Sequence, residues 1–467
     1  MSKHEKLRIY MQRIQNLRLI LDDSCYDIAL SVPLETIKSL SKKTKTLIHL
    51  FCLHKTILAA EFTNIFGKKI LDDIVKLHVV RRKGDTVQSN YKIMTTHNYY
   101  ILRDYEYDNQ KLDYAYCGDD SLMLANNLPF NFKAKNTLDL CAGAGIQAIL
   151  LSQNSRNVTG VEISSEAAHV ARFNTILNNV SHNVKIVQGN LYEPVKNKKF
   201  DLIVSNPPYI PIPDNLRYPL AAKGGEDGLL VLRNIFAGFN NHLTKNGMGL
   251  IFGITFGGSR HPFSVDLLRK IALRDNFDID VLVLNRTIAH AEIAQRAISL
   301  AKFNPKSDAK TEMARIYTKA KAKYLYSYLI KIRRGNSNLT LIILYPQEKT
   351  NKGISENTSL NDLYAQFVEA FALKQYDEAV RLGDQVERFR TMFQIEFKKD
   401  THALMGFAYE KLKKYKDAIE ELEKAKKPNP KNAHIHFSLF RCYRNIGETE
   451  KADAEFNNGT LKLKKPK

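Results

Sequence analysis

From residue 136 to about residue 346 the apolar positions gather into short runs: TLDLCAGAG, NVTGVEIS, NVKIVQGN, FDLIVSNPP and GMGLIFGITF. Each run is short, mostly apolar or β-branched, and reads as a strand, while the stretches between them are amphipathic at helical spacing. Segments 278–284, 324–332 and 339–344 supply the last strands. Strands alternating with helices predict an α/β domain whose mainly parallel sheet is covered on both faces. One stretch interrupts the alternation. Residues 306–323 hold Lys310, Arg315, Lys319, Lys321 and Lys323 in a helical pattern, an insertion whose charged face is either solvated or functional.

The flanks follow other rules. Residues 1–112 open with a helical segment, followed by short helices over 46–51, 59–66 and 69–78, the last with Ile70, Leu71, Ile74 and Val75 on one face. Extended runs over 79–82 and 87–94 flank the Lys83-Gly84-Asp85 turn, which is hairpin chemistry. Three helices and a hairpin resemble a winged helix; Arg81, Arg82 and Lys83 at its tip either touch phosphates or form a solvated cluster. Residues 347–359 are polar and aperiodic, as a linker is. Beyond them Tyr409 and Tyr443, and Ala418 and Ala452, recur at a period of about 34 residues. Gly406, Leu422, Ala425, Pro430, Gly447 and Phe456 fall at matching packing positions, and Ala370, Tyr376 and Ala379 mark a looser earlier unit. The array resembles tetratricopeptide repeats, a generic helical bundle being the alternative. The expected division is an N-terminal domain over 1–112, a catalytic domain over 113–346, the linker, and helical repeats over 360–467.

Composition narrows the classes. With 467 residues, 44% hydrophobic and 25% charged, the chain is that of a folded multidomain protein, and no apolar run reaches membrane-spanning length. The charged N-terminus lacks the apolar core of a secretory signal, so the expected compartment is the cytoplasm. Cys25, Cys52, Cys117, Cys141 and Cys442 are scattered and form no CxxC pair, which speaks against a disulfide framework or a thiolate metal site. A net charge of +21 favours polyanionic surroundings such as RNA or ribonucleoprotein.

Candidate chemistry sits at the predicted strand ends. The first strand runs through Asp139, Cys141, Ala142, Gly143 and Gly145 into an apolar helix, a junction where glycine lets backbone approach a nucleotide-like ligand or simply makes a tight turn. The second strand ends at Glu162, placed to accept ribose hydroxyls. The third ends at Asn190-Leu191, where Asn190 either bonds an adenine edge or serves a turn. The fourth enters Asn206-Pro207-Pro208-Tyr209. Two prolines fix this loop, leaving the Asn206 side-chain oxygen and the Pro207 carbonyl to accept the two protons of a planar NH2 group on which Tyr209 stacks. Acceptors so placed favour localising a delocalised lone pair as a bond forms at nitrogen.

Together these residues resemble the class I, Rossmann-like methyltransferases, and in particular the HemK/PrmC type, which methylates the glutamine of release-factor GGQ loops. The downstream run from Arg217 to Leu229, with Gly224-Gly225-Glu226-Asp227-Gly228-Leu229, carries the same resemblance. It implies S-adenosylmethionine as cofactor, no metal, and a cofactor site of Asp139, Cys141, Ala142, Gly143, Gly145, Glu162, Asn190, Leu191 and Asn206. It also implies Asn206, Pro207, Pro208 and Tyr209 as the catalytic loop. Tyr116-Cys117-Gly118-Asp119-Asp120-Ser121-Leu122 is similar to the family's lead-in, either a lid or a plain helix start capped by Asp119 or Asp120. The chain departs from the family's pattern in Cys141 for glycine, Asn190 for aspartate, the missing acid between Tyr218 and Pro219, and both flanking modules. The expected function is N-methylation of a protein glutamine in translation, with an RNA or DNA amino group, or a non-catalytic scaffold, as alternatives. A protein partner is expected at the repeats.

Overall fold

The computed structural model describes residues 3–23, 37, 40–105, 111–288, 298–343, 360–393, 401–430 and 432–463; Cys25 and the expected linker 347–359 lie outside them. The chain divides into two compact units, Met1–Ile343 and Leu344–Lys467.

The first unit begins with α1 (Lys3–Asp23), then α2 (Lys42–Leu47) running into a π-helical turn at Ile48–Cys52. Next come β1 (Ile57–Leu58), α3 (Ala59–Phe66), α4 (Lys68–Lys76), β2 (Val80–Lys83) and β3 (Thr86–Ser89). β1, β3 and β2 form an antiparallel sheet in that order. The expected single strand over 87–94 is in fact two. The Ser89 hydroxyl donates to the Tyr91 carbonyl at 2.6 Å and accepts from the Tyr91 N–H at 3.2 Å, a local side-chain turn that ends β3 and starts a second hairpin, β4 (Lys92–Thr96) with β5 (Tyr99–Arg103).

After α5 (Asp119–Asn126) the α/β core follows as β6 (Ala134–Leu140), α6 (Ile146–Leu151), β7 (Ser155–Glu162), α7 (Ser165–Leu177), β8 (Val184–Gln188) and β9 (Phe200–Ser205). It continues with α8 (Leu230–His242), β10 (Leu243–Gly257), α9 (Ser264–Asp275), β11 (Phe277–Ile288), α10 (Ala309–Ala320), β12 (Tyr324–Arg334) and β13 (Leu339–Ile343). The eight strands lie in the order β13-β11-β12-β10-β9-β6-β7-β8. Only β12 runs antiparallel to its neighbours. β10, β9 and β6 are central, and each holds a run of at least four consecutive buried residues, as a doubly covered sheet requires. From β6 the chain works outward through β7 to β8, then returns to β9 on the other side, so the crevice at the carboxyl ends of β6 and β9 is the switch point where such sheets bind ligands.

The N-terminal elements are bonded to this core. Asn174 and Asn178, one turn apart on α7, meet the backbone of β5: Asn174 bonds Leu102 N and O at 2.9 Å each, and Asn178 bonds Tyr100 N and O at 2.9 and 2.7 Å. Two side-chain amides thus replace a missing strand partner for buried backbone groups. α1 is tied to α4 through Arg13 and Asn16 on Asp73, and to the end of α7 through Arg18 on the Leu177 carbonyl.

The second unit is helical: α11 (Leu360–Ala372), α12 (Tyr376–Phe393), α13 (Thr401–Lys411), α14 (Tyr415–Lys426), α15 (Ala433–Asn445) and α16 (Thr449–Leu463). Ala418, Leu422, Ala425, Leu439, Tyr443 and Ala452 share one core, and Gly406 lies so close to Leu422 that a β-carbon there would meet its Cγ at 2.5 Å.

Candidate active site

At the carboxyl edge of the sheet, an open cleft of about 1000 Å³, its solvent-filled mouth included, runs past the ends of β6, β7, β8 and β9. Cys141, Ala142, Gly143, Glu162, Asn190, Leu191, Asn206 and Pro208 all line it. Gly143 has φ +54°, and a β-carbon there would stand 2.8 Å from the Tyr116 carbonyl, so glycine is what lets the lead-in strand cross directly over the loop. Cys141 adopts φ +60° in the same turn, and burial pushes its thiol up from the usual range.

Glu162 is 8% exposed. Its Oε2 accepts from Gly143 N at 2.7 Å and its Oε1 from Ser164 N at 2.9 Å, and with Ile163 as a further backbone donor the acid is clamped at the cleft wall with acceptor capacity remaining. Burial raises its pKa, and these backbone donors oppose the rise. Asp139 does not line the cleft: it lies beneath the loop at 1% exposure, accepting from Ala148 N at 3.0 Å, and its other oxygen has no partner among the described residues. Burial pushes its carboxyl up to about 8, with nearby Glu162 adding to the shift. Gly145, at φ +85°, ends the turn behind the cleft and starts α6.

Asn206 and Tyr209 of the Asn-Pro-Pro-Tyr loop face a carboxylate from the lead-in. Asp120 Oδ2 accepts from Asn206 Nδ2 at 3.0 Å and from the Tyr209 hydroxyl at 2.8 Å. Its Oδ1 accepts from the Tyr116 hydroxyl at 2.7 Å and from Ser121 N at 2.8 Å. Asn206 Nδ2 also meets Ser121 Oγ at 3.3 Å, while Asn206 Oδ1 is buried and has no partner among the described residues. The N-cap of α5 is Gly118, neither Asp119 nor Asp120, both of which lie in the first turn.

Past the loop, residues 210–225 fold back on it: Ile210 N donates to Ala222 O at 2.9 Å, Gly224 N to Ile210 O at 2.8 Å and Ile212 N to Gly225 O at 3.0 Å. A β-carbon on Gly224 would meet the Tyr209 backbone at 2.7 Å, which gives the glycine pair of this segment a packing reason. The insertion, helical as its period predicts, buries Met313, Ile316 and Tyr317 against Ile212, Leu216 and Tyr218 of this wall. Its Arg315 bonds Glu226 at 3.2 Å, and Lys319 lies 3.7 Å from the same carboxylate.

A model of the Methyltransferase small domain family matches residues 110–252. A putative protein N5-glutamine methyltransferase of Methanocaldococcus jannaschii is 31% identical over 151 residues, covering 31% of this chain and 75% of that protein. The chain belongs to the HemK/PrmC-type class I methyltransferases. A ribosomal protein uL3 glutamine methyltransferase of Bradyrhizobium diazoefficiens is 32% identical, covering 44% of this chain and 66% of its own. A release factor glutamine methyltransferase of Thermodesulfovibrio yellowstonii is 35% identical, covering 24% and 43%. The chain spans two thirds or less of several of these relatives, 66%, 40% and 34% of the Bradyrhizobium diazoefficiens, Francisella tularensis and Rickettsia bellii proteins.

Within this methyltransferase, most of the expected cofactor residues meet at one cleft, with Asp139 and Gly145 supporting it from behind. Tyr209 sets its ring edge-on to Phe252 at 6.0 Å, and its hydroxyl turns to Asp120. Asp120 is the residue at the site that sequence reasoning left out, bonded to both Asn206 and Tyr209. It stands 86 positions before Asn206, and its only signal was the acid pair in the lead-in resemblance. Of the tip residues, Arg81, Arg82 and Lys83 are exposed, with Arg81 bonding Gln88 and Arg82 the Gly84 carbonyl of their own hairpin. Among the described residues no helix is long and apolar enough to cross a membrane.

Proposed function

We propose that this chain is an S-adenosylmethionine-dependent N-methyltransferase acting on a glutamine side-chain amide of a protein of the translation apparatus. The observation that carries it is Asn206 Oδ1: a buried acceptor with no partner among the described residues, beside the cleft that Glu162 lines. A buried carbonyl without a donor is costly, and a substrate N–H is the donor that answers it. When bound, S-adenosylmethionine supplies a methyl activated by its sulfonium. Glu162 would take the ribose hydroxyls with its spare lone pairs, Asn190 and Leu191 would flank the adenine, and the 141–145 turn would receive the methionine end. Asn206 Oδ1 and the Pro207 carbonyl would each accept one amide proton, aiming the nitrogen lone pair at the methyl and favouring its localisation as the bond forms. The relatives named as protein glutamine methyltransferases support the amide over a base.

On the same reading, the helix-helix-hairpin region over 42–89 is a winged-helix module that approaches ribonucleoprotein through its basic tip, and the second unit is a tetratricopeptide array that holds a protein partner. The test is transfer of labelled methyl into cell extract, split by protease and by nuclease. Label in protein, released as methylamine on acid hydrolysis, is the expected result, because hydrolysis of an N5-methylglutamine amide frees its nitrogen with the methyl attached. Nuclease-sensitive label would replace the glutamine reading with the nucleic-acid one. No label and no cofactor-dependent thermal stabilisation would leave only the scaffold.

A further inference from the structure

The bonds around Asn206 decide which end of its amide meets the substrate. Both Nδ2 protons have acceptors, Asp120 Oδ2 at 3.0 Å and Ser121 Oγ at 3.3 Å. An ionised carboxylate only accepts, so the amide nitrogen must face Asp120 and the amide oxygen must face away. Asp120 is itself held by three further donors: the Tyr116 hydroxyl, Ser121 N and the Tyr209 hydroxyl. Four donors fill its lone-pair sites and fix it in place. Without it, nothing but the weaker Ser121 contact would stop the amide from turning over, and a turned amide would present N–H to the substrate's N–H.

Resting on the glutamine reading above, we propose that Asp120 is the positioning residue for methyl transfer: it locks the Asn206 amide so that Oδ1, not Nδ2, receives the substrate nitrogen. The lock also reaches the cofactor turn. Tyr116, whose hydroxyl holds Asp120, accepts the Ala144 N–H on its main-chain carbonyl at 3.1 Å and lies against Gly143. A single lead-in residue therefore touches both the turn that would cradle the methionine end and the carboxylate that aims the acceptor.

The experiment is a charge swap in the full-length chain, read by methyl transfer and by melting temperature. D120N should lower kcat about 10- to 100-fold with a smaller change in the cofactor KM, since Asp120 does not itself line the cleft and reaches the cofactor turn only through Tyr116. N206D sets two carboxylates against each other and should lose about 100- to 1000-fold in kcat and some thermal stability. In D120N/N206D the amide at 120 donates to the carboxylate at 206, leaving that group's other oxygen for the substrate. The double variant should therefore exceed N206D in melting temperature, as any relief of paired carboxylates would, and also in kcat of the folded enzyme, a non-additivity in turnover that a merely structural Asp120 would not produce. A double variant no better than N206D in kcat overturns the proposal, even if D120N alone fails to fold. Wild-type label found outside glutamine would defeat the glutamine reading instead, and the swap would still be read on whichever acceptor is labelled. Absence of transfer in the wild type itself overturns the proposal together with the glutamine reading.

Discussion

The cofactor half and the substrate half of this sheet edge are built differently. On the cofactor side, three consecutive strands deliver Gly143, Glu162 and Asn190 to the cleft, each at its strand's last position or within three residues past it. On the substrate side, Asn206 depends on Asp120, 86 residues earlier, and the wall behind Tyr209 is braced by Arg315, 89 residues after Glu226. On the proposed roles, cofactor recognition is local to a strand and its turn, whereas substrate positioning is assembled from segments that meet only in the folded chain. The two halves should fail in different ways.

The largest expected effect is the crossed response of Asn206 and Glu162. Asn206→Ala should lower kcat about 100- to 1000-fold, the loss typical of one preorganised group at the reacting centre, and leave the cofactor Kd within about threefold. Glu162→Ala should weaken cofactor binding about 10- to 100-fold, the scale of losing hydrogen bonds to a charged group, with a smaller fall in kcat at saturation. Calorimetric cofactor titration beside single-turnover transfer checks both. Equal loss of cofactor affinity in the two variants would mean the halves are not separable.

That division also explains what could be read from the sequence. Strand ends, the Gly143 turn and Glu162 are legible because the period and the turn chemistry lie within a few residues of one another. All eight sheet strands fall where the apolar runs put them, and the helix in the insertion was visible as a charge pattern. What the insertion touches was not, since nothing in residues 306–323 names Ile212 or Glu226. The role of Asp120 was hidden for the same reason. An acid at a helix start reads as a cap, yet Gly118 occupies that position and the carboxylate is spent on Asn206 and Tyr209. The break after β3 was missed because Ser89 ends the strand with its own side chain, leaving the apolar pattern over 87–94 unchanged.

A third prediction concerns the ground under the cofactor half. Burial raises the Asp139 carboxyl from its ordinary 3.8 to about 8, so between those values the folded chain keeps a proton that the unfolded chain releases. Stability from this group is complete below about pH 4 and declines as pH rises towards 8, on the order of 1 kcal/mol per pH unit at most. Glu162 is shifted in the same direction and adds to the slope. Asp139→Asn keeps an acceptor for Ala148 N and removes the titration. Melting temperatures from pH 5 to 8 should fall less steeply in this variant than in wild type. Identical slopes would show that Asp139 is ionised in the folded chain.

The smallest effect should come from the brace on the substrate wall. Glu226 bonds Arg315 and lies near Lys319, but the two side chains of the closer pair are 38% and 46% exposed, so solvent and salt screen the attraction. The wall itself is held by the apolar contacts of Met313, Ile316 and Tyr317, which a charge deletion leaves in place. Glu226→Gln should therefore leave the melting temperature and kcat close to wild type. It should raise the KM for a protein substrate by no more than about two- to threefold at low ionic strength, a difference that vanishes in high salt. A tenfold or larger change that survives high salt would move Glu226 from brace to substrate contact, and would carry the nonlocal half of the site out onto the insertion.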